Sequence, residues 1–545
     1  MAVMHFQTSQ RKTIDIGDGL IMRWSTKADT ENVANLVGDS FRWMPLGDPL
    51  PVDSVPPPNA YLKAGAKRTL SGKSTAMSEF DYALVEDTKR EKGKNPIVAC
   101  VSLHRCLAYY GSVDVHFGKP ELIATNPEYR NRGFIRRLLL EMVHPESDAR
   151  GDVLQFILGL QHFYRQFGYE YGLHYATSAK IESPDFVPAL AKGKSEPYIL
   201  RQATMVDIPF LTRLSTPEKT HANAQVGTYY TNDYWRYTVS SAIQDRQDRF
   251  DGDRDTRVIV EAESGKAVGF TVMSYIAFGP QLEIMALEEG EAAYIDVTNP
   301  VLRQLFAIGT ARDKLVAKER EADLKKNLPA KAAVAGVEVA TDVITATAMA
   351  ADATTNTATA QGSKPAKFRF SIRLNEKHPL RLLLGTNARR PPQHIPDFRI
   401  YTRIKSYPAF IMAVAPELEK RLANSALAGT TGRLQLNFFR QVEGSSGNGL
   451  EVLLEKGKIV DANDWTPLTP EKLFEQNQQW KKDGSEPVIY SATFAPLTFT
   501  CLLTGHRSLE ELHFAYGENN VRDEATRLLL NTLFPKAVHT FDLFY

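Results

Sequence analysis

The spacing of apolar residues changes abruptly between Glu121 and Arg137. Leu122, Ile123, Ala124 and Thr125 form a short β-prone run, and Asn126-Pro127 stops it. Beyond Gly133, apolar residues recur at Phe134, Ile135, Leu138, Leu139 and Met142, the spacing of a helix with one buried face. The stretch therefore predicts a strand, a tight turn and a helix. Before it, residues 21–24 read as a strand and 25–29 as a turn and cap. Val33, Leu36, Val37 and Phe41 then share a helix face. Residues 43–75, rich in proline, glycine and serine, predict a long loop near the mouth of a site. Residues 80–85 and 97–106 predict strands joined by a charged turn. After the central helix come a strand at 153–158, a short helix at 161–167 and a last strand from Gly168-Tyr169.

The pattern then repeats. I-x-R-x-x-T-x-x-D at 21–29 returns at 199–207, and T-N-P-x-x-R at 125–130 returns at 298–303, which predicts a second copy of the same fold. In that alignment Phe306 stands where Gly133 does and would fill the space beside the turn. Residues 258–263 and 267–276 predict a hairpin around Ser264-Gly265. A charged, helix-prone stretch at 313–326 leads into 329–366, mostly alanine, threonine and valine, a composition that buries too little to repay ordering and predicts a flexible insertion. Strand character resumes at 368–374. From residue 401 the chain predicts an amphipathic helix within 408–427 and strands at 434–439, 450–454, 458–460 and 488–492. Residues 499–503 suit a strand or a helix start. Helices follow, one bearing Leu509 and Leu512 and one over 520–533. The apolar end, 541–545, predicts a tucked tail that fixes the α-carboxylate of Tyr545.

Composition adds mainly exclusions. The 545 residues, 43% hydrophobic and 24% charged, suit about three globular domains. A net charge of +1 argues against a nucleic-acid partner or an anionic membrane surface. No stretch suggests a signal peptide or a membrane span, and the three cysteines make no disulfide framework; the expectation is a cytoplasmic protein. The basic run 89–94 reads as a solvated hairpin tip. Cys100, His104 and Cys106 share one face of a regular strand, but without an evident fourth ligand no metal is expected.

The central turn carries chemistry. The first N–H groups of a helix lack carbonyl partners and the helix dipole adds positive charge there, so the start of this helix suits phosphate. Arg130, Arg132, Arg136 and Arg137 supply charge around it.

Arg130-Asn131-Arg132-Gly133-Phe134-Ile135 resembles the R-x-x-G-x-G/A turn of GNAT-type N-acetyltransferases, with Ile135 replacing the last small residue. Phe163-Tyr164-Arg165-Gln166-Phe167-Gly168-Tyr169 resembles the (F/Y)-Y-x-x-F-G-Y segment that closes the same fold. A GNAT domain, a degenerate second copy and a sterol carrier protein-like C-terminal domain, in this order, resemble the Eis (enhanced intracellular survival) family. The resemblance implies an α+β chain: a catalytic GNAT domain at 1–190, a degenerate GNAT-like domain at 195–400 with the insertion at about 313–366, and a sterol carrier protein-like domain at 401–545. It implies acetyl-CoA as co-substrate, with backbone groups of Ile123, Ala124 and Thr125 along the pantetheine arm. Arg130 and the backbone of Asn131, Arg132, Gly133, Phe134, Ile135 and Arg136 would hold the pyrophosphate. Tyr164 matches the family's general acid, and the carboxylate of Tyr545 matches its base by position. The acceptor is the amine of a small molecule or a lysine side chain. Members of the family assemble, but no residue pattern here demands a homo-oligomer. The competing expectation is a non-catalytic lipid- or protein-binding module that kept the fold.

Overall fold

The computed structural model describes residues 13–42, 58–72, 77–160, 162–174, 179–181, 183–216, 220, 224–244, 253–276, 279–327, 368–374, 377–389, 400–440, 447–483 and 487–541. The fold is mixed α+β, and among the described residues it is built on three sheets of ten, six and five strands. Among the described residues, no helix is long and apolar enough to cross a membrane.

The first sheet contains β1 (Ile14–Gly17), β2 (Leu20–Trp24), β3 (Tyr82–Asp87), β4 (Ile97–Tyr110), β5 (Val113–Thr125), β6 (Leu154–Leu158) and β7 (Glu170–Leu173). The second contains β8 (Ala179–Ile181), β9 (Tyr198–Gln202), β11 (Asp253–Glu261), β12 (Ala267–Ile276), β13 (Gly279–Leu287) and β14 (Phe370–Ile372). Two more strands, β10 (Val226–Thr228) and β15 (Ile400–Arg403), return to the first sheet, as does β21 (His539–Thr540). The third sheet runs β18 (Lys458–Trp465), β17 (Gly449–Glu455), β16 (Gly432–Asn437), β19 (Ile489–Thr493) and β20 (Asn520–Val521).

The first two sheets are built alike. Antiparallel strands lead to a long strand that touches the next one, parallel, over two residues only: Phe117↔Leu154 and Gly118↔Gln155 in the first sheet, Gln281↔Ser371 and Leu282↔Ile372 in the second. Beyond these pairs the strands part, leaving a fork. Each sheet then takes a strand from outside its own stretch. β15, which follows the whole second sheet, pairs antiparallel with both β6 and β7, and β8, which precedes the second sheet, pairs with β14. The sheets therefore interlock across the expected boundaries near residues 190 and 400.

The first repeated motif has a physical cause. Arg23, in the second strand, bonds both oxygens of Asp29 at 2.9 and 2.7 Å, while Thr26 and Asp29 close a capping box. Arg201 bonds Asp207 at 2.8 and 2.7 Å, with Thr204 in the same role. The second motif does not correspond. Thr298-Asn299-Pro300 lies inside the helix Tyr294–Asn327, which also absorbs the charged stretch expected to begin the insertion. Phe306 is buried within that helix against Phe370 and marks no turn. The turn preceding this helix is Glu288-Glu289-Gly290-Glu291, with Gly290 at φ 77°. Its acidic residues, Glu288 paired with Arg213 and Glu291 with Lys266, replace the arginines of the first copy.

Other elements differ in detail. The expected loop at 43–75 contains a helix, Ala60–Leu70, whose first turn Asn59 caps by accepting from Leu62 N–H at 3.0 Å; residues 43–57 and 73–76 lie outside the described residues. Residues 498–503 are helical, the helix Pro470–Asp483 was not anticipated, and the final helix starts at Glu524 after a short strand.

Candidate active site

The fork between β5 and β6 is where the expected site residues meet. Counting along the parallel strands from Phe117↔Leu154, Leu122 stands level with Gly159. At that level β5 is bulged. Its register against β4 slips between Glu121↔Ser102 and Ala124↔Cys100, and Leu122 takes a left-handed φ of 48°. The bulge sorts the side chains. Leu122 and Ala124 pack with the helices Thr30–Ser40 and Ala60–Leu70, while Ile123 packs into the cluster on the other face. Thr125 resumes the ladder opposite Ala99. Within the bulge Glu121 O accepts from Ser102 Oγ at 2.9 Å and Leu122 O from Cys100 Sγ at 3.4 Å, so the backbone of Ile123, which is out of the ladder, is the part left to face a ligand in the fork.

The helix after β5 starts at Phe134. Asn126 stops the strand by accepting from Glu128 N–H at 3.0 Å. Asn131 and Gly133 are both left-handed, at φ 63° and 76°, and curl the backbone into a cup before the helix. Gly133 serves this conformation. A side chain there would meet nothing within 4 Å, so the space beside it is open, as a bulky anion requires. The first intrahelical bond runs from Arg137 N–H to Gly133 O at 3.1 Å, which leaves the N–H groups of Phe134, Ile135 and Arg136 without helical partners. Downstream, Phe134–Arg137, Leu138–Val143 and His144–Ala149 form one continuous helix. Its middle part is π-wound, with His144 N–H bonding Leu139 O, so that Pro145 enters without breaking the axis.

The arginines differ in their commitments. Arg130 is exposed and makes no ion pair among the described residues. Arg132 lies over the Tyr129 ring at 4.6 Å and Arg136 bonds Gln166 at 2.6 Å, neither facing a carboxylate. Arg137 is engaged by Glu141 at 2.6 Å and is the least available.

Tyr164 sits in the short helical turn Phe163–Phe167, bounded by left-handed His162 and Gly168; Gln161 lies outside the described residues. Its ring is buried against Phe163, Tyr169 and Tyr401, with centroids 5.0, 6.2 and 5.4 Å away. It also covers Gly159, where a Cβ would stand 2.1 Å from the Tyr164 Cε2 atom. Burial pushes the phenol up to about 12, so it holds its proton at neutral pH. Tyr164, Ile123, Phe134 and Ile135 belong to one apolar cluster. The structure thus gathers the bulge, the helix start and the tyrosine, while Arg130, Asn131, Arg132, Gly133 and Arg136 line the exposed rim.

Tyr545 lies outside the described residues. The last described residue, Phe541, packs on Phe117 and Phe156 at 6.3 and 5.0 Å, beside the point where β5 and β6 part. Cys100, His104 and Cys106 do share a face of β4, where buried His104 contacts Ser102 at 3.2 Å and is held neutral by burial and by the charges of Lys119 and Arg150. Among the described residues, no group of three metal-ligating side chains is placed to hold an ion. Reasoning from sequence missed Gly159, Tyr171 and Tyr401. Tyr401 lies in a four-residue strand, Ile400–Arg403, that the sequence did not announce, and nothing local ties it to the first sheet.

The forked sheet, the bulge, the cation-rimmed helix start and the buried tyrosine all lie in one stretch of the chain, and that stretch carries a GNAT-type acetyltransferase domain. Residues 23–172 match the family model described as an acetyltransferase (GNAT) domain, and no curated protein matches the chain. Among solved structures, the chain resembles a conserved protein of unknown function from Enterococcus faecalis, titled a probable N-acyltransferase. The match has a TM-score of 0.55 at 14% identity and covers 96% of this chain and 99% of that one. It also resembles a GCN5-related N-acetyltransferase from Kribbella flavida, with a TM-score of 0.53 at 14% identity over 96% and 98% of the two chains. Eis1 from Mycobacterium abscessus aligns with a TM-score of 0.49 at 10% identity over 96% and 100%. The fold of the whole chain is shared with the first two.

Proposed function

We propose that the chain moves the acetyl group of acetyl-CoA to a primary amine, of a small molecule or a lysine side chain, by direct attack. The observation that carries this reading is the single cluster joining Ile123 at the bulge, Phe134 at the helix start and Tyr164 across the fork. In this reading, amides from Asn131 to Arg136 and the Arg130 guanidinium hold the pyrophosphate. The backbone of Ile123, Ala124 and Thr125 lies along the pantetheine arm. The amine nitrogen bonds the acetyl carbon as the carbon–sulfur bond breaks. Tyr164 donates its proton to the departing sulfur, and the α-carboxylate of Tyr545 takes the proton from the amine. Holding the two reactants together supplies much of the acceleration, up to about 7–11 kcal/mol in favourable cases.

The chain belongs in this proposal to the Eis type, with a degenerate second copy and a sterol carrier protein-like third domain. The order of the three sheets along the chain and the Phe163-to-Tyr169 motif support this. The turn Glu288-Glu289-Gly290-Glu291 offers phosphate no arginine of its own, which supports a second copy that binds no coenzyme A.

The test is thiol release from acetyl-CoA on mixing with a panel of polyamines, amino sugars and lysine peptides. Release with at least one amine, and its loss in Tyr164→Phe, is expected. No release with any amine, together with no binding of acetyl-CoA, overturns the reading.

A further inference from the structure

We propose that Tyr401 is a positioning residue for Tyr164, holding from a distant part of the chain the turn that carries the phenol. The inference rests on the role of Tyr164 proposed above.

The geometry is specific. β15 enters the first sheet between β6 and β7, placing Tyr401 beside Ile157 on one side and Tyr171 on the other. The Tyr401 hydroxyl donates to Leu160 O at 3.0 Å and shares a 2.8 Å hydrogen bond with the Tyr171 hydroxyl. Tyr171 in turn accepts from His162 N–H at 3.0 Å. Each hydroxyl has one proton. If Tyr401 gives its proton to Leu160, Tyr171 must give its own to Tyr401, and every oxygen is satisfied. The relay then runs from His162 N–H through two phenols to Leu160 O, and both ends fix the backbone just before Tyr164.

That backbone needs fixing. His162 is left-handed at φ 62°, a conformation unfavourable for a residue with a Cβ. Leu160 is 71% exposed, so its own side chain anchors it poorly. The Tyr401 ring adds a wall against Tyr164, 5.4 Å between centroids, and packs at a tilt of 32° against Tyr171, 4.3 Å between centroids. Tyr164 itself accepts no such bond. Among the described residues nothing hydrogen-bonds its hydroxyl, so its aim depends on packing and on this turn. Because β15 follows the whole second sheet, the active site is assembled only when the second half of the chain has folded.

The test is a double-mutant cycle on the full chain, read by steady-state kinetics. Tyr401→Phe keeps the ring and removes the relay. It should lower kcat roughly five- to tenfold and leave KM for acetyl-CoA within twofold. In a Tyr164→Phe background the same change should have no further effect, because the group it positions is gone. An equal fall in both backgrounds would make Tyr401 a general structural residue and overturn the inference, as would wild-type kcat in Tyr401→Phe. Wild-type kcat in Tyr164→Phe alone would instead remove the acid role itself, a result distinguishable from the others. If Tyr401→Phe does not fold, Tyr171→Phe breaks the same relay and is held to the same pattern.

Discussion

Arg136, in the first turn of the helix that begins the anion cup, donates to the side-chain carbonyl of Gln166 at 2.6 Å and lies 5.1 Å from the Phe167 ring centre. The two parts of the site are thereby joined: the helix start that would hold phosphate, and the turn that carries Tyr164. Arg136 is used in that joint, so its backbone N–H rather than its guanidinium is the part free to meet an anion.

Arg130 is the side chain left to do so. Arg130→Ala should raise the Kd for acetyl-CoA about tenfold, the scale of a lost charge-assisted hydrogen bond. Arg137→Ala, whose guanidinium is already engaged by Glu141, should stay within twofold. Calorimetric titration of both variants checks the contrast, and equal effects would contradict it.

Gly133→Ala separates conformation from space. The added methyl meets no atom, but φ 76° is unfavourable for any residue with a Cβ. The expected loss of stability is about 1–2 kcal/mol, with acetyl-CoA binding weakened as the cup opens. Chemical denaturation gives the first quantity and titration the second.

Tyr164→Phe should lower kcat by roughly 10²–10⁴-fold, the range for a positioned acid, and leave acetyl-CoA binding intact. The pH profile carries a sign. In the proposed acid role the phenol works protonated, and burial raises its pKa to about 12, so it should cause no alkaline fall in kcat below about pH 11. An alkaline limb near pH 10, absent from Tyr164→Phe, would show a phenol less buried than this one.

Asp29 predicts acid sensitivity. Burial alone would raise its pKa, but bonds from Arg23 and Thr26 outweigh this and lower it. A carboxylate depressed in the folded state stabilises above its unfolded value of about 3.9, and that contribution is lost as pH falls through the folded value. Asp29→Asn should therefore lower Tm at pH 7 and narrow the gap from wild type below pH 4, as thermal melts across pH would reveal.

The parts legible in the sequence are those whose causes are local. The strand, turn and helix around Gly133 announce themselves through a change of apolar period, and the Arg23–Asp29 clasp recurs as a sequence repeat because one bidentate pair needs one spacing. The Thr298-Asn299-Pro300 match misled for the converse reason: three residues that stop a strand in one context fit inside a helix in another. The strand exchange was illegible. β15 and β8 are only four and three residues long, too short for a period to show, and the choice of sheet edge is a long-range packing decision that no local residue records. Tyr401 was invisible as a site residue for that reason alone.

The central claim is that the cup before Phe134 holds the pyrophosphate of acetyl-CoA. Calorimetric titration of the full chain with acetyl-CoA tests it most directly. The account predicts saturable binding, at one site per chain, that weakens about tenfold in Arg130→Ala. No heat at high acetyl-CoA concentration, or binding that Arg130→Ala and Gly133→Ala both leave untouched, would contradict it.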